Sequence, residues 1–193
     1  MIKKAQATLP TKYGIFQIII YASDDNLEHV ALVLGDPKNK SILTRIHSQC
    51  LTGDTFSSLR CDCGPQLKKS MEIIGAKKEG VILYLNQEGR GIGLTNKIRA
   101  YALQDKGADT VEANEQLDFP ADARNYDIAA EMLCDLGCYN IELLTNNPQK
   151  AKALALSGVT IHKIIPLEIA PNEFNKKYLE TKKKKMGHLL KDV

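Results

Sequence analysis

Three cysteines carry the strongest chemical signal in this chain of 193 residues. Cys50 follows an apolar, β-branched run, and Cys61 and Cys63 flank Asp62 just before a helical pattern, so all three are expected in loop at a strand-to-helix crossover. Thiolate sulfur is a soft ligand that favours zinc among the abundant cytosolic metals, and three protein ligands leave a fourth tetrahedral position open for water. A closed structural site would ordinarily show two C-x-x-C pairs, whereas this chain has one C-x-C and a single distant partner, so closure would need His47. The residues alone leave open a catalytic zinc, a site completed by His47, and loop cysteines with no metal. Cys134 and Cys138, four apart on or just past an apolar helical stripe, read as small core residues. His29, His162 and His188 have no partner signal and read as structural or surface residues.

Two further segments could handle an anion. Asn86 to Gly93, NQEGRGIG, follows an apolar strand and precedes a helix, where glycines let backbone N–H groups approach a phosphate or base and Arg90 adds fixed charge. Its evenly spaced Gly89, Gly91 and Gly93 do not match the dinucleotide-binding G-x-G-x-x-G. Thr145 to Lys150, TNNPQK, reads as a strand end, a cap and a first helical turn. Capping explains Asn147 and Pro148, while Lys150 sits unfavourably against the helix dipole and so suits a ligand. Asp122 and Arg124, before another helix, read on their own as a dipole-compatible carboxylate and a surface arginine.

The elements that must position these residues fall into a β-rich start and an α/β remainder. Ile15 to Tyr21, His29 to Leu34 and Ser41 to His47 are strand-like runs separated by turn residues. From Pro65 a helix carries Leu67, Met71 and Ile74 and stops at Gly80, before a buried strand from Val81 to Leu85. A second helix carries Leu94, Ile98, Tyr101 and Ala102 on one face and stops at Gly107. A third carries Ile128, Ala129, Met132, Leu133 and Leu136 and stops at Gly137. Ile141 to Leu144 is a strand, the helix opened by Asn147 ends at Gly158, and Val159 to Ile165 is the last strand. Pro166 and Pro171 bracket a loop, and Phe174, Tyr178 and Leu179 mark a final amphipathic helix that runs into Lys182 to Lys185, a run read as a solvated helix end. The expected fold is mixed α/β, a β-rich N-terminal part followed by strands and helices alternating in a layered sheet. Residues 1–193 are expected to form one domain with a basic C-terminal helix, although two lobes remain compatible with the pattern.

Composition limits the function classes. No apolar run approaches the ~18 residues of a membrane span, and nothing behind Lys3 and Lys4 resembles the apolar core of a signal peptide, so no membrane partner and a cytoplasmic location are expected. A net charge of +3 is too small for a dedicated nucleic-acid binder. Five cysteines, an odd count, argue against a disulfide framework.

Taken in order, RIHSQCLTGD (Arg45 to Asp54), RCDCGPQL (Arg60 to Leu67), NQEGRGIGL (Asn86 to Leu94), KIRAYALQDKGADTVEAN (Lys97 to Asn114) and LLTNNPQK (Leu143 to Lys150) closely resemble GTP cyclohydrolase II, and the likeness continues through KKMGHLL near the C-terminus. Some members of that family carry an additional N-terminal synthase domain, and a chain of this length resembles the monofunctional form. The resemblance implies a homodimeric, GTP-binding hydrolase of riboflavin biosynthesis that releases formate and pyrophosphate. It places one zinc per chain on Cys50, Cys61 and Cys63, activating water for attack on C8 of guanine and then on the resulting formamide, with Mg²⁺ on the substrate phosphates. Nucleotide contacts carry over onto Arg45, Ile46, His47, Ser48, Gln49, Gln66, Glu88, Gly89, Arg90, Thr110, Thr145 and Lys150, and Tyr101 falls near the base and zinc. Asp122 and Arg124 take the positions of a proton acceptor and of a residue acting at the α-phosphorus, the arginine as nucleophile or as electrostatic clamp.

One position departs from the family pattern. Glutamate is expected where this chain has Gln49, directly before the first cysteine, and glutamine cannot exchange a proton. The alternative to an active cyclohydrolase is therefore a zinc- and nucleotide-binding relative impaired at ring opening. If position 49 serves as an acid or base, Glu88 is the candidate substitute.

Overall fold

The computed structural model describes residues 1–38, 40–191 and 193. The chain divides into two compact units: Met1–His47, Leu67–Asn86 and Tyr126–Leu167 form one, and Ser48–Gln66, Gln87–Asn125 and Glu168–Val193 form the other.

The first unit is built on a seven-stranded sheet of β1 (Ile2–Thr11), β2 (Gly14–Ala22), β3 (Glu28–Leu34), β4 (Ser41–Ser48), β5 (Gly80–Leu85), β6 (Asn140–Leu144) and β7 (Thr160–Ile165), in the order β1-β2-β3-β5-β4-β6-β7. β1, β2, β3 and β5 pair antiparallel, while β4, β6 and β7 pair parallel. The alternation of strand side chains between faces separates two cores. On one face Ile42, Ile141 and Leu83 pack with Met132 and Leu133 of α5 (Asp127–Asp135) and Leu154 of α6 (Pro148–Leu156). On the other, Leu43, Ile82 and Leu144 pack with Ile74 of α2 (Cys63–Lys77). As the sequence predicts, Asn147 caps α6 by accepting from the Gln149 N–H at 3.0 Å, with Pro148 in the first turn. The strand β1 has no counterpart in the sequence reading: IKKAQATLPT lacks an apolar alternation because it is an exposed edge strand, protected by Lys3, Lys4 and a register shift between Lys3 and Ala5.

The second unit holds α1 (Leu51–Asp54), a 3₁₀ turn at Glu88–Gly91, α3 (Gly93–Asp105), α4 (Thr110–Glu115) and α7 (Lys176–Met186). Three expectations need correction. Cys50 and Cys61 lie outside helix and strand as expected, Cys50 as the cap residue of α1, but Cys63 opens α2. The inward side of α3 is shifted from the one expected: Leu94 and Ile98 are 39% and 48% exposed, while Lys97 and Ala100 are buried and Tyr101 is half-buried. The last helix starts only at Lys176, leaving Phe174 exposed before it, and Leu179 is its buried apolar anchor. Among the described residues no helix is long and apolar enough to cross a membrane.

Within the sheet unit, His29 is 1% exposed; its Nδ1 accepts from the Asn86 N–H at 3.1 Å and its Nε2 faces Ser23 Oγ at 3.2 Å. This arrangement needs the neutral ring with its proton on Nε2. Burial pulls the His29 pKa below its ordinary 6.5, partly opposed by Asp25. A depressed folded-state value means stabilisation that is complete above the unfolded pKa and lost as pH falls. The urea midpoint of the wild type should therefore fall more steeply than that of His29→Gln as pH is lowered from 7 through 6.5 towards 5, and parallel pH profiles would show that His29 does not resist protonation.

Gly75 sets helix propensity against packing. Alanine is favoured over glycine inside a helix by ~1 kcal/mol, but a Cβ at Gly75 would meet the Tyr13 carbonyl oxygen at 2.4 Å, a backbone atom that cannot swing away. Overpacking of this kind costs ~1–3 kcal/mol or more, so packing wins. Gly75→Ala should lower the urea midpoint with unchanged slope, whereas an unchanged or higher midpoint would show that the Tyr13 backbone yields.

Candidate functional site

The three cysteines converge because two glycines let their backbones meet. A Cβ on Gly64 would lie 2.2 Å from the Gly53 carbonyl oxygen, so only glycine lets the α1 turn lie against the start of α2. Gly53 is equally constrained by the sulfurs, because its Cβ would stand 2.8 Å from Cys61 Sγ and 3.2 Å from Cys50 Sγ. Asp54 fastens the turn by accepting from the Cys50 N–H at 2.9 Å. The three Sγ atoms lie within 4.8 Å of one another, with Cys50 and Cys61 3.7 Å apart. Thiolates around a tetrahedral zinc, at ~2.3 Å from the metal, stand ~3.8 Å apart. The donor set and its spacing fit a metal ion such as zinc.

Charge at this cluster is offset by a residue that the sequence reading passed over. Lys97 Nζ donates to Cys50 Sγ at 3.1 Å and to Glu88 Oε1 at 2.8 Å. Glu88 in turn accepts from the N–H groups of Leu51 at 2.7 Å and Gly89 at 2.9 Å. Hydrogen bonds from the Cys61 and Cys63 thiols, with Lys97 beside them, hold the Cys50 thiol far below its usual range. Hydrogen bonding to Cys50 correspondingly pushes Cys61 up to about 11 and Cys63 well above its ordinary value. Burial alone would lower Lys97, but Glu88 and Cys50 outweigh it and keep the ammonium charged. The available sequence signal was positional: Lys97 lies three residues after Leu94 and four before Tyr101, on their helix face.

The cluster opens onto a pocket that is lined by Ser48, Gln49, Cys50, Cys63, Glu88, Gly89, Arg90, Tyr101, Thr110 and Arg124 of the expected set, and additionally by Lys97, Asn114 and Tyr178. The Tyr101 hydroxyl lies 3.4 Å from Thr52 Oγ1, with the Arg60 guanidinium 4.7 Å from its ring centroid. Burial raises the Tyr101 pKa, so the group remains a protonated donor. Gln66 stands back from the lining, its amide donating to Asp62 Oδ2 at 2.6 Å.

The glycine-rich turn works differently from the expected N–H cradle. The Gly89 N–H is taken by Glu88 and the Gly91 N–H by the Gln87 carbonyl at 3.2 Å, so neither is left for a phosphate. Gly89 and Arg90 both have left-handed backbone, at φ 62° and 63°, and Ala123 donates to the Arg90 carbonyl at 3.1 Å. A left-handed non-glycine residue costs ~1–2 kcal/mol, and here it orients the arginine that lines the pocket. Behind it, Arg124 grips Asp122 with a two-pronged bond, Nε to Oδ1 at 2.8 Å and Nη2 to Oδ2 at 2.5 Å. Burial would raise the Asp122 carboxyl, but this fork holds it below the usual range, making it a weak proton acceptor.

The remaining expected residues gather in the sheet unit at the C-terminal ends of β4 and β6, the usual ligand edge of a parallel sheet. Arg45 Nη1 donates to the Leu144 carbonyl at 3.0 Å, and Lys150 Nζ donates to the Ile46 carbonyl at 2.8 Å and stands 5.2 Å from the Tyr126 ring centroid. Thr145 Oγ1 accepts from the Asn147 N–H at 3.0 Å, and His47 stacks on Tyr84 at 5.5 Å.

A sequence model of GTP cyclohydrolase II matches residues 2–166. GTP cyclohydrolase-2 of Haemophilus influenzae is 51% identical over 189 residues, covering 96% of this chain and 88% of that protein. The riboflavin biosynthesis protein RibBA is 53% identical in Bacillus subtilis and 52% in Endomicrobium trichonymphae, covering 97% and 96% of this chain but 48% and 46% of theirs. The chain thus spans about half the length of these RibBA relatives. The crystal structure of RibBX, a two-domain 3,4-dihydroxy-2-butanone 4-phosphate synthase from A. baumannii, matches at TM-score 0.50 and 22% identity over 87% of this chain and 40% of that one, a likeness of fold alone. With the family match running over nearly the whole chain and a relative of similar length at this identity, the chain belongs to the GTP cyclohydrolase II family.

Proposed function

We propose that this chain hydrolyses GTP to 2,5-diamino-6-(5-phosphoribosylamino)pyrimidin-4(3H)-one with release of formate and pyrophosphate, the first step of riboflavin biosynthesis. The observation that carries the reading is the three-sulfur cluster opening onto one pocket with Tyr101, Arg90 and Arg124. Zinc held by Cys50, Cys61 and Cys63, one per chain, would supply Lewis acidity and a water activated at neutral pH for opening the imidazole ring. Ser48, Gln49 and Thr110 present neutral hydrogen-bonding groups to the base, and the protonated Tyr101 hydroxyl donates to charge that develops on it. Glu88 keeps Lys97 charged beside Cys50.

On the phosphate side, Arg90 and Arg124 supply fixed positive charge, with Mg²⁺ accompanying the phosphates. An arginine in a two-pronged bond to a carboxylate keeps all its protons and has no free lone pair, so Arg124 acts as a clamp that Asp122 aims, and not as a nucleophile. The contacts assigned to Arg45, Ile46, His47, Thr145 and Lys150, the homodimer and the cytoplasmic location rest on the family resemblance.

One observation favours a second reading. Gln49 lines the pocket where a carboxylate is expected, and Glu88 already accepts from Lys97, Leu51 and Gly89. A zinc- and nucleotide-binding relative slowed at ring opening would release pyrophosphate without formate. Incubation of the zinc-loaded protein with GTP and Mg²⁺ separates the two, and formate with diaminopyrimidine absorbance is the expected result.

Cys61→Ser should lose zinc and reduce formate release by more than the ~10–100-fold typical of losing an outer partner of a metal ligand. Undiminished formate from that variant would overturn the metal assignment. Arg124→Lys keeps the charge but cannot form the fork, and should slow pyrophosphate release ~10²–10³-fold with zinc content unchanged, the scale of losing one oriented donor to a developing charge. Near-wild-type pyrophosphate release would remove Arg124 from the chemistry.

A further inference from the structure

The C-terminal helix α7 lies beyond the residues matched by the family model, and its lysine run reads from sequence as a solvated helix end. The structure differs. Tyr178, Lys182 and Lys185 fall at i, i+4 and i+7 and so share one face of the helix. Lys182 Nζ donates to Asp62 Oδ1 at 2.7 Å, and its side chain is only 13% exposed. Asp62 is the residue between Cys61 and Cys63; its other oxygen accepts from Gln66, and its side chain is 2% exposed. Lys185 pairs with Asp109 and, at 3.0 Å, with Glu112, the two side chains of the box that caps α4, the helix bearing Thr110 and Asn114. Tyr178 lines the pocket, its ring centroid 4.5 Å from Lys182 Nζ and 5.8 Å from the Arg90 guanidinium carbon. Lys183 and Lys184 lie on the exposed side.

We propose that Lys182 is a positioning residue for the metal centre, holding the Asp62 carboxylate and through it the geometry of the Cys61-Asp62-Cys63 segment, so that α7 is a working part of the site. The proposal rests on the reading of Cys50, Cys61 and Cys63 as zinc ligands. A C-x-C pair can spread its sulfurs in several ways, and the residue between them is the natural point at which to fix one. Asp62 is gripped from both sides, by Gln66 within the same segment and by Lys182 from α7. The contact is a salt bridge largely shielded from water, with the Lys182 and Asp62 side chains 13% and 2% exposed. Removal of one partner leaves the other buried and uncompensated.

Zinc affinity, read by competition with a chromophoric chelator on the full-length protein, tests the proposal independently of turnover. Lys182→Met should weaken zinc binding ~10–100-fold, as loss of an outer partner of metal ligands does elsewhere. Lys182→Arg, which retains a donor and a charge, should restore most of the affinity, and Lys183→Ala on the outer side of α7 should match the wild type. Lys182→Met combined with Asp62→Asn removes both charges, leaves none buried alone, and should bind zinc as weakly as the single variant because the two residues act as a unit. Zinc affinity within about twofold of wild type in folded Lys182→Met, or in the double variant should the single one not fold, would assign the pair to helix docking alone and overturn the proposal. Loss of the proposed function itself looks different: wild-type protein that takes up no zinc, or Cys61→Ser that binds it normally, would overturn both readings, whereas a zinc-loaded, formate-releasing wild type beside an unaffected Lys182→Met would overturn this one only.

Discussion

Negative charge on Cys50, buried within the three-sulfur cluster, is the constraint around which the second unit is arranged. A buried anion is tolerated only when it is paired and hydrogen-bonded, and each group that compensates Cys50 brings a need of its own. Lys97 requires Glu88, and Glu88 requires the N–H groups of Leu51 and Gly89. That chain ties α1, the 3₁₀ turn and α3 together. Breaking a buried pair leaves one charge uncompensated and costs ~3–5 kcal/mol. α3 accordingly holds Lys97 inward, with Leu94 and Ile98 partly in water.

The same unit accepts backbone strain where it positions charge. Arg90 takes a left-handed conformation that a glycine would adopt freely, and Gly91 beside it lets the Ala123 carbonyl approach to within 3.0 Å of where a Cβ would be. Together they hold the 121–124 segment against the turn, and Arg124 reaches the pocket from that segment with its orientation fixed by Asp122. Both arginines are thereby aimed before any ligand arrives, so little ordering remains to be paid for on binding.

Elements that bury apolar residues were legible from sequence, because burial marks the residues of β2 to β6, α2, α5 and α6. β1 was not, since an exposed edge strand carries no such pattern. The cysteines and most of the pocket lining were legible as chemical types and as motifs. The lysines that sequence reading passed over, Lys97 and Lys182, share one property. Each is on a helix, where a period-based reading places lysine outside, and each faces inward to a partner far along the chain, Cys50 for Lys97, 47 residues away, and Asp62 for Lys182, 120 residues away. Pairing of that kind has no local signature.

The position that sequence marked as anomalous gains meaning from this network. A carboxylate at position 49, in the pocket that Cys50, Cys63 and Glu88 line, would have added one more negative charge there. Gln49 removes that charge but also the capacity to exchange a proton. Glu88 is poorly placed to replace it, since taking a proton would weaken its bond to Lys97 and, through Lys97, the compensation of Cys50. Tyr101 is a protonated group of the pocket that Cys50 and Cys63 line. Under the proposed function, proton delivery during ring opening therefore falls to Tyr101 and solvent, and a rate limited by that delivery, with metal and nucleotide binding intact, is the physical consequence of glutamine at this position.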